Sequence, residues 1–503
     1  MALDERQVNA IVEAVVSKLG GTAARSEPEI PKRDRHVDEQ LKKPKTEGGH
    51  WIETYAPGRK APAFVRGRKG VFDDLDSATS AAHDAHEQLV EMSLEARKKI
   101  VAAMRKVTAD NARELSVKAV EETGLGRVDD KIQKNLLCAW KTPGVEILDL
   151  PETFTGDGGL AMTERAAFGV IGAITPTTNP TETVINNGIG MIAGGNAVVF
   201  NVHPSAKRVC RWQVEMLNEA IVAAGGPDNL ICMMGEPTIE SAQALMKHKG
   251  TRLTVVTGGP AVVKAALGSG KRAVCAGPGN PPAVVDETAL LEKAGRDIVR
   301  GASLDNNIVC IVEKEVIAVE AIADALKKAM CAAGAYEITG AAVQRLEDLV
   351  VLPDGHPNKE WVGKDAAKIA RAAGVHVPEN TRLLFADVDF HHPFVQAELL
   401  MPVIGFTRAR DVHEAIALAV EAEHGFGHTA TMHSQRLENL HTMARAINTS
   451  IFVKNGPSFA GLGLEGEGYT SFTIASPTGE GLTTARTFTR ERRCTLKDYF
   501  RIV

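Results

Sequence analysis

Through the middle of the chain, apolar residues gather in short, nearly unbroken runs, each followed by a stretch with helical spacing. Residues 168–175 form one such run, and 180–193 follow as a helix opened by Pro180. The same alternation predicts strands at 197–200, 230–233 and 253–257, with helices at 205–224, 238–247 and 259–267. Strands with few polar positions are covered on both faces, and their alternation with helices predicts an α/β fold with a doubly wound parallel sheet. A second α/β block spans about 281–455, with candidate strands at 283–285, 308–319, 349–352, 382–386 and 451–453. Residues 76–124 read as three amphipathic helices, with Ser93 and Asp110 as caps of the second and third. The last fifty residues, rich in Gly, Thr and Ser, read as hairpins and loops.

The first twenty residues stand apart. Val8, Ile11, Val12, Val15 and Leu19 share one helical face, Asp4 and Gln7 fit a capping box, and Gly20-Gly21 ends the helix. A helix this short is marginal alone in water, so its apolar face needs a partner. Residues 22–50 carry mixed charges with Pro28, Pro31 and Pro44, and read as a disordered linker. A sticky helix on a tether predicts a docking peptide.

A chain of 503 residues suffices for two or three full cores. Its net charge of -5 points to neither nucleic acid nor an anionic membrane as partner. Seven scattered cysteines without a CxxC suggest neither a zinc site nor a disulfide framework, so no metal is expected and a reducing cytosol is. No apolar run reaches membrane-spanning length, and the N-terminus lacks the pattern of a signal peptide.

Cys310 is the prime candidate for chemistry. It follows the polar loop Ser303-Leu304-Asp305-Asn306-Asn307 and precedes an apolar run, so it reads as a loop residue at the mouth of a strand. It is either a nucleophile or an inert buried thiol. Asn179 ends Thr175-Pro176-Thr177-Thr178-Asn179 at the carboxyl end of the first strand, where such sheets bind ligands. Its amide is either an oxyanion donor or a helix cap. Thr257-Gly258-Gly259 ends another strand and lets a ligand approach the backbone. Glu398, in a mainly apolar stretch, needs a partner, either a ribose or a salt bridge. The literal GxGxxG at 461–466 lies between no strand and helix, and its glutamates would repel a pyrophosphate.

These pieces, in this order, resemble the aldehyde dehydrogenase superfamily from about Asp73 onward. Thr175–Pro180 and Asp305-Asn-Asn-Ile-Val-Cys310 look like its CoA-acylating branch, nearest to the propionaldehyde and acetaldehyde dehydrogenases of bacterial microcompartments. The resemblance implies two doubly wound domains, 51–275 for NAD and coenzyme A and 276–455 for catalysis. It also implies an oligomerisation β-arm near 145–165, completed by a hairpin in 456–503. Residues 1–20 then resemble an encapsulation peptide for a shell protein or other cargo, and the protein is expected in the cytoplasm within a microcompartment, as a dimer or tetramer. By the same resemblance Cys310 is the nucleophile and Asn179 the oxyanion donor. Thr175, Pro176, Thr177, His203, Pro204, Thr257, Gly258, Gly259 and Glu398 are expected to bind the cofactor. Hydrolytic members carry a general-base glutamate in a Glu-Leu-Gly-Gly motif, and aligning that motif places Ala276 at the glutamate. The resemblance therefore implies oxidation of a short aldehyde, with propionaldehyde expected before acetaldehyde, and transfer of the acyl group to CoA. No acidic residue follows Phe200 to grip a ribose, so NAD over NADP rests on the resemblance.

Overall fold

Two all-parallel sheets follow one another along the chain in the structure, a computed structural model that describes residues 69–503. The expected docking helix at 1–20 and linker at 21–50 lie outside the described residues. Strand β1 (Val71–Phe72) leads into four helices, Leu75–Val90, Leu94–Asp110, Ala112–Thr123 and Val128–Lys141. The first three match expectation, and Ser93 caps the second by accepting from the Ala96 N–H at 3.2 Å. Asp110 is not a cap. It closes the second helix, and Asn111 takes the capping position without a side-chain bond. The fourth helix was not expected, because its inward face carries Lys131, Lys134 and Asn135 where an apolar stripe would be sought.

An antiparallel hairpin follows, β2 (Glu152–Gly156) and β3 (Gly159–Ala167). Next come β4 (Val170–Ile174), β5 (Ala197–Asn201), β6 (Ile231–Met234), β7 (Leu253–Thr257) and β8 (Ala273–Ala276). The first sheet runs β1-β6-β5-β4-β7-β8. From β4 the chain winds one way to β5 and β6, then returns to the other flank of β4 as β7. That reversal opens a crevice at the carboxyl end of β4. The helix Pro180–Ala193 packs there, with every residue buried. Ile185, Ile189 and Ile192 are fully covered, each contributing roughly 1.5–3 kcal/mol from apolar burial.

The second sheet comprises β9 (Pro282–Val285), β10 (Glu315–Val319), β11 (Ala335–Glu337), β12 (Leu383–Asp387), β13 (Val403–Ala409), β14 (Thr429–His433) and β15 (Ile451–Lys454). Its order is β11-β12-β13-β10-β9-β14-β15. Two expected strands change. Residues 308–314 are turns, so the strand after Cys310 starts only at Glu315. The apolar residues at 349–352 belong to the end of the helix Ala341–Val350, with a single bridge from Val351 to Pro357. Among the C-terminal residues, β16 (Ile474–Ala475) and β17 (Gly481–Leu482) form a short pair, and β18 (Thr489–Lys497) pairs with β3 along its whole length. The resulting three-stranded arm, β18-β3-β2, exposes Phe154 and Leu496. Among the described residues, no helix is long and apolar enough to cross a membrane.

Candidate active site

The carboxyl end of the first sheet meets the amino end of the second. Strand β8 stops at Ala276, and residues 277–281 carry the chain to β9. A cavity of about 1140 Å³ opens at this junction. All the expected site residues line it: Cys310, Asn179, Thr175, Pro176, Thr177, His203, Pro204, Thr257, Gly258, Gly259 and Glu398. Ala276 lines it too, and among the described residues Glu398 is the only carboxylate residue in the lining.

Cys310 is held by an unusual turn. Asp305, Asn306 and Asn307 all adopt left-handed backbone, at φ 49°, 54° and 65°. Asn and Asp tolerate that region better than other side-chain-bearing residues. Their side chains also tie the turn down. Asn307 donates to the carbonyls of Ala302 at 2.6 Å and Glu313 at 2.9 Å, and Asn306 donates to the Gly363 carbonyl at 3.0 Å. The buried Lys314 ammonium donates to the Asn307 carbonyl and side-chain oxygen, both at 2.7 Å, and to the Val309 carbonyl at 3.2 Å. Gly279 lets the crossing segment press on this turn. A Cβ there would meet the Cys310 carbonyl at 3.0 Å and the His428 ring at 2.9 Å.

Cys310 lines the cavity, half-buried in its wall. Burial, and then the charge of Glu398, push its thiol up to about 12, while Lys314 and Lys134 pull it down. Burial raises Glu398 itself to about 7, against Lys314 and the Gly279 N–H. Burial lowers Lys314 to about 8. His428 is buried and its pKa falls to about 4, so its imidazole is neutral at pH 7. Its Nδ1 meets Thr429 Oγ1 at 2.9 Å, and its Nε2 has no partner among the described residues.

Asn179 occupies the cap position of the helix Pro180–Ala193, but its side chain does not cap. Instead its Oδ1 accepts from Lys134 Nζ at 2.5 Å. Lys134 also pairs with Glu182 at 3.2 Å and with Asp305 in the Cys310 turn. Lys131 reaches Asp305 at 3.0 Å and the Thr178 carbonyl at 2.9 Å. Burial opposes the charge on Lys134, but Asp305 and Glu182 outweigh it and hold the ammonium protonated. Gly126 makes room for Asp305, whose Oδ1 would lie 2.1 Å from a Cβ there.

The other side of the cavity suits a dinucleotide. A Cβ on Gly259 would meet nothing within 4 Å and one on Gly258 nothing nearer than 3.7 Å, so both backbones are open to a ligand. The hydroxyl oxygens of Thr175 and Thr177 are buried without a partner among the described residues. The starts of three helices, at Asn179-Pro180, Thr238-Ile239 and Gly259-Pro260, line or border the space and offer N–H groups to phosphates. Thr257 Oγ1 is steadied by Thr473 at 2.7 Å. Among the described residues, no group of His, Cys, Asp and Glu is placed to hold a metal ion.

Sequence reasoning missed Lys131, Lys134, Lys314 and His428. The i, i+3 spacing of Lys131 and Lys134 puts both on one helix face, and that was the available signal. Lys314 lies only four residues past Cys310 and went unremarked, and nothing local marked His428, which reaches the Cys310 turn through the packing of a distant segment.

Residues 45–348 match the model of the aldehyde dehydrogenase family. The chain is 51% identical over 448 residues to acetaldehyde dehydrogenase (acetylating) EutE of Salmonella typhimurium, covering 88% of this chain and 95% of that one. It is 45% identical over 436 residues to the propanal dehydrogenase (CoA-propanoylating) of the same organism, covering 86% and 93%. Among solved structures, Rhodopseudomonas palustris propionaldehyde dehydrogenase with bound propionyl-CoA superposes with a TM-score of 0.84 at 49% identity, over 86% of this chain and 96% of that one. A family model matched over residues 45–348, and relatives about half identical across most of the chain, make this protein a member of the aldehyde dehydrogenase family.

Proposed function

We propose that the protein is a CoA-acylating aldehyde dehydrogenase, which oxidises a short aldehyde with NAD and passes the acyl group to coenzyme A. Ala276 is the observation that carries this reading. Where hydrolytic members of the family place a glutamate base, the cavity wall presents a methyl group. In support, one relative's solved structure holds CoA beside an acylated cysteine.

The Cys310 thiolate forms a C–S bond to the aldehyde carbon, and the carbonyl electron pair moves onto oxygen. The Asn179 amide and the Cys310 N–H hold that oxyanion. A donor of this kind is worth about 3–4 kcal/mol in the transition state. Thr175–Thr177, His203, Pro204, Thr257–Gly259 and Glu398 would hold NAD, which would supply the hydride acceptor as the carbonyl re-forms. Cys310 is left as a thioester. With no base aimed at water, that thioester persists until the CoA thiol takes the acyl group, and Cys310 leaves as a thiolate. His428, neutral and with a free Nε2, takes the proton of the incoming thiol. The balance is aldehyde, NAD and CoA to acyl-CoA, NADH and a proton.

The test is product analysis with and without CoA. Acyl-CoA should form in step with NADH, and Cys310→Ala should abolish both. Free acid produced equally fast without CoA would overturn the reading. Propionaldehyde is the expected aldehyde. Acetaldehyde is the second reading, favoured by 51% identity to an acetylating relative against 45% to a propanoylating one. One methylene is worth only about 1–3 kcal/mol in a pocket, so the ratio of kcat/KM values decides. The first sheet then belongs to the cofactor-binding domain and the second to the catalytic domain. Residues 1–20 dock the enzyme to a shell protein or other cargo of a cytoplasmic microcompartment. The arm β18-β3-β2 joins subunits of a homo-oligomer, since its exposed Phe154 and Leu496 call for cover.

A further inference from the structure

We infer that Lys134 is a positioning residue for this chemistry: its ammonium holds the Asn179 amide oxygen, leaving the amide NH2 as the group offered to the oxyanion on the Cys310 side of the cavity. The inference rests on the proposed roles of Cys310 and Asn179. An Asn side chain has two near-identical faces, and only the NH2 face can stabilise an oxyanion. An ammonium has donors and no acceptor, so the group 2.5 Å from Lys134 Nζ must be the oxygen. The Asn179 Nδ2 is left with one weak contact, 3.3 Å to Thr178 Oγ1.

Lys134 is itself over-determined. It is buried to 1% side-chain exposure between Asp305, Glu182 and Asn179. Its pairing with Asp305 ties the amide to the turn that presents Cys310, so donor and nucleophile share one brace. The amide is also polarised by the charge behind it, which strengthens its N–H as a donor. Nothing in the hydride-transfer or CoA half of the reaction requires a buried lysine at this place.

The experiment is a double-mutant cycle read on two reactions. The first is aldehyde oxidation with NAD and CoA. The second is the burst of p-nitrophenolate when Cys310 is acylated by p-nitrophenyl propionate. There the C–S bond forms as the acyl C–O bond of the ester breaks, p-nitrophenolate leaves with the electron pair, and no nicotinamide is needed. Losing an oxyanion donor costs roughly 10²–10³ in kcat, so Lys134→Met should lower both rates by about tenfold to a hundredfold. KM for NAD should be unchanged. In an Asn179→Ala background the same change should cost less than about threefold, because the amide it orients is gone. Alkylation by iodoacetamide needs the thiolate but no oxyanion, and it should fall far less than the ester burst.

If Lys134→Met does not fold, Lys134→Met with Glu182→Gln removes one charge of each sign and leaves the Lys131–Asp305 pair, and the same cycle is run on it. Full additivity with Asn179→Ala, or an unchanged ester burst, overturns the role of Lys134. A silent Asn179→Ala, or CoA-dependent activity surviving in Cys310→Ala, overturns instead the reading on which it rests.

Discussion

At pH 7 a thiol with a pKa of about 12 is ionised in about one molecule in 10⁵, so Cys310 at rest is almost wholly a thiol. Its environment sets the sign of every nearby change. The Glu398 anion repels a thiolate, so Glu398→Gln should lower the Cys310 pKa and speed alkylation at a given pH. The Lys314 ammonium attracts it, so Lys314→Met should raise the pKa and slow alkylation. In the unaltered protein, iodoacetamide labelling of Cys310, followed by mass spectrometry, should rise about tenfold per pH unit from pH 8 to 10. A plateau below pH 9 would show the thiol to be far more acidic. Because Glu398 titrates near 7 and interacts with Cys310, the slope below pH 7 belongs to the pair and not to the cysteine alone.

Among the elements, the turn before Cys310 is where local sequence and fold agree most closely. Asp305-Asn306-Asn307 uses the residue types that accept left-handed backbone, and their amides replace the hydrogen bonds that such a turn forfeits. Asn307→Val should cost at least ~2 kcal/mol, through a β-branched residue at positive φ and the loss of three buried bonds, while Asn307→Gly keeps the backbone and loses only the bonds. Thermal unfolding of both variants checks the order, and a valine variant as stable as the glycine one would refute it. The strands of the first sheet were legible for a related reason. A parallel strand covered on both faces reads as an apolar run, as in Ala197–Asn201 and Leu253–Thr257. The helix Val128–Lys141 was illegible because its buried face is charged, which inverts the pattern that marks a helix. Strands β13 and β14 escaped because Gly405 breaks one run and Thr429, Thr431 and His433 make the other look polar. The candidate residues that line the cavity could be read in the chain. The lysine brace could not, since Lys134, Asn179 and Asp305 meet only after three separate segments have packed.

For the whole molecule, the division between docking and catalysis is the testable matter. Deleting residues 1–20 should leave kcat and KM for aldehyde, NAD and CoA within about twofold while abolishing co-sedimentation with shell protein. Unchanged co-sedimentation would remove the docking role. The arm has a further consequence. Ala167 ends the middle strand of the β18-β3-β2 sheet, and Thr489 begins the strand that completes it, 322 residues later (489 − 167). At 5–20 residues per second, a ribosome takes roughly 16–64 s to cover that distance. Throughout that time the hairpin Glu152–Ala167 has an open edge while the rest of the protein emerges and folds around it. If subunits meet through this arm as proposed, they can join only after Lys497 has been made, and a chain terminated before Thr489 has no finished surface by which to enter an assembly.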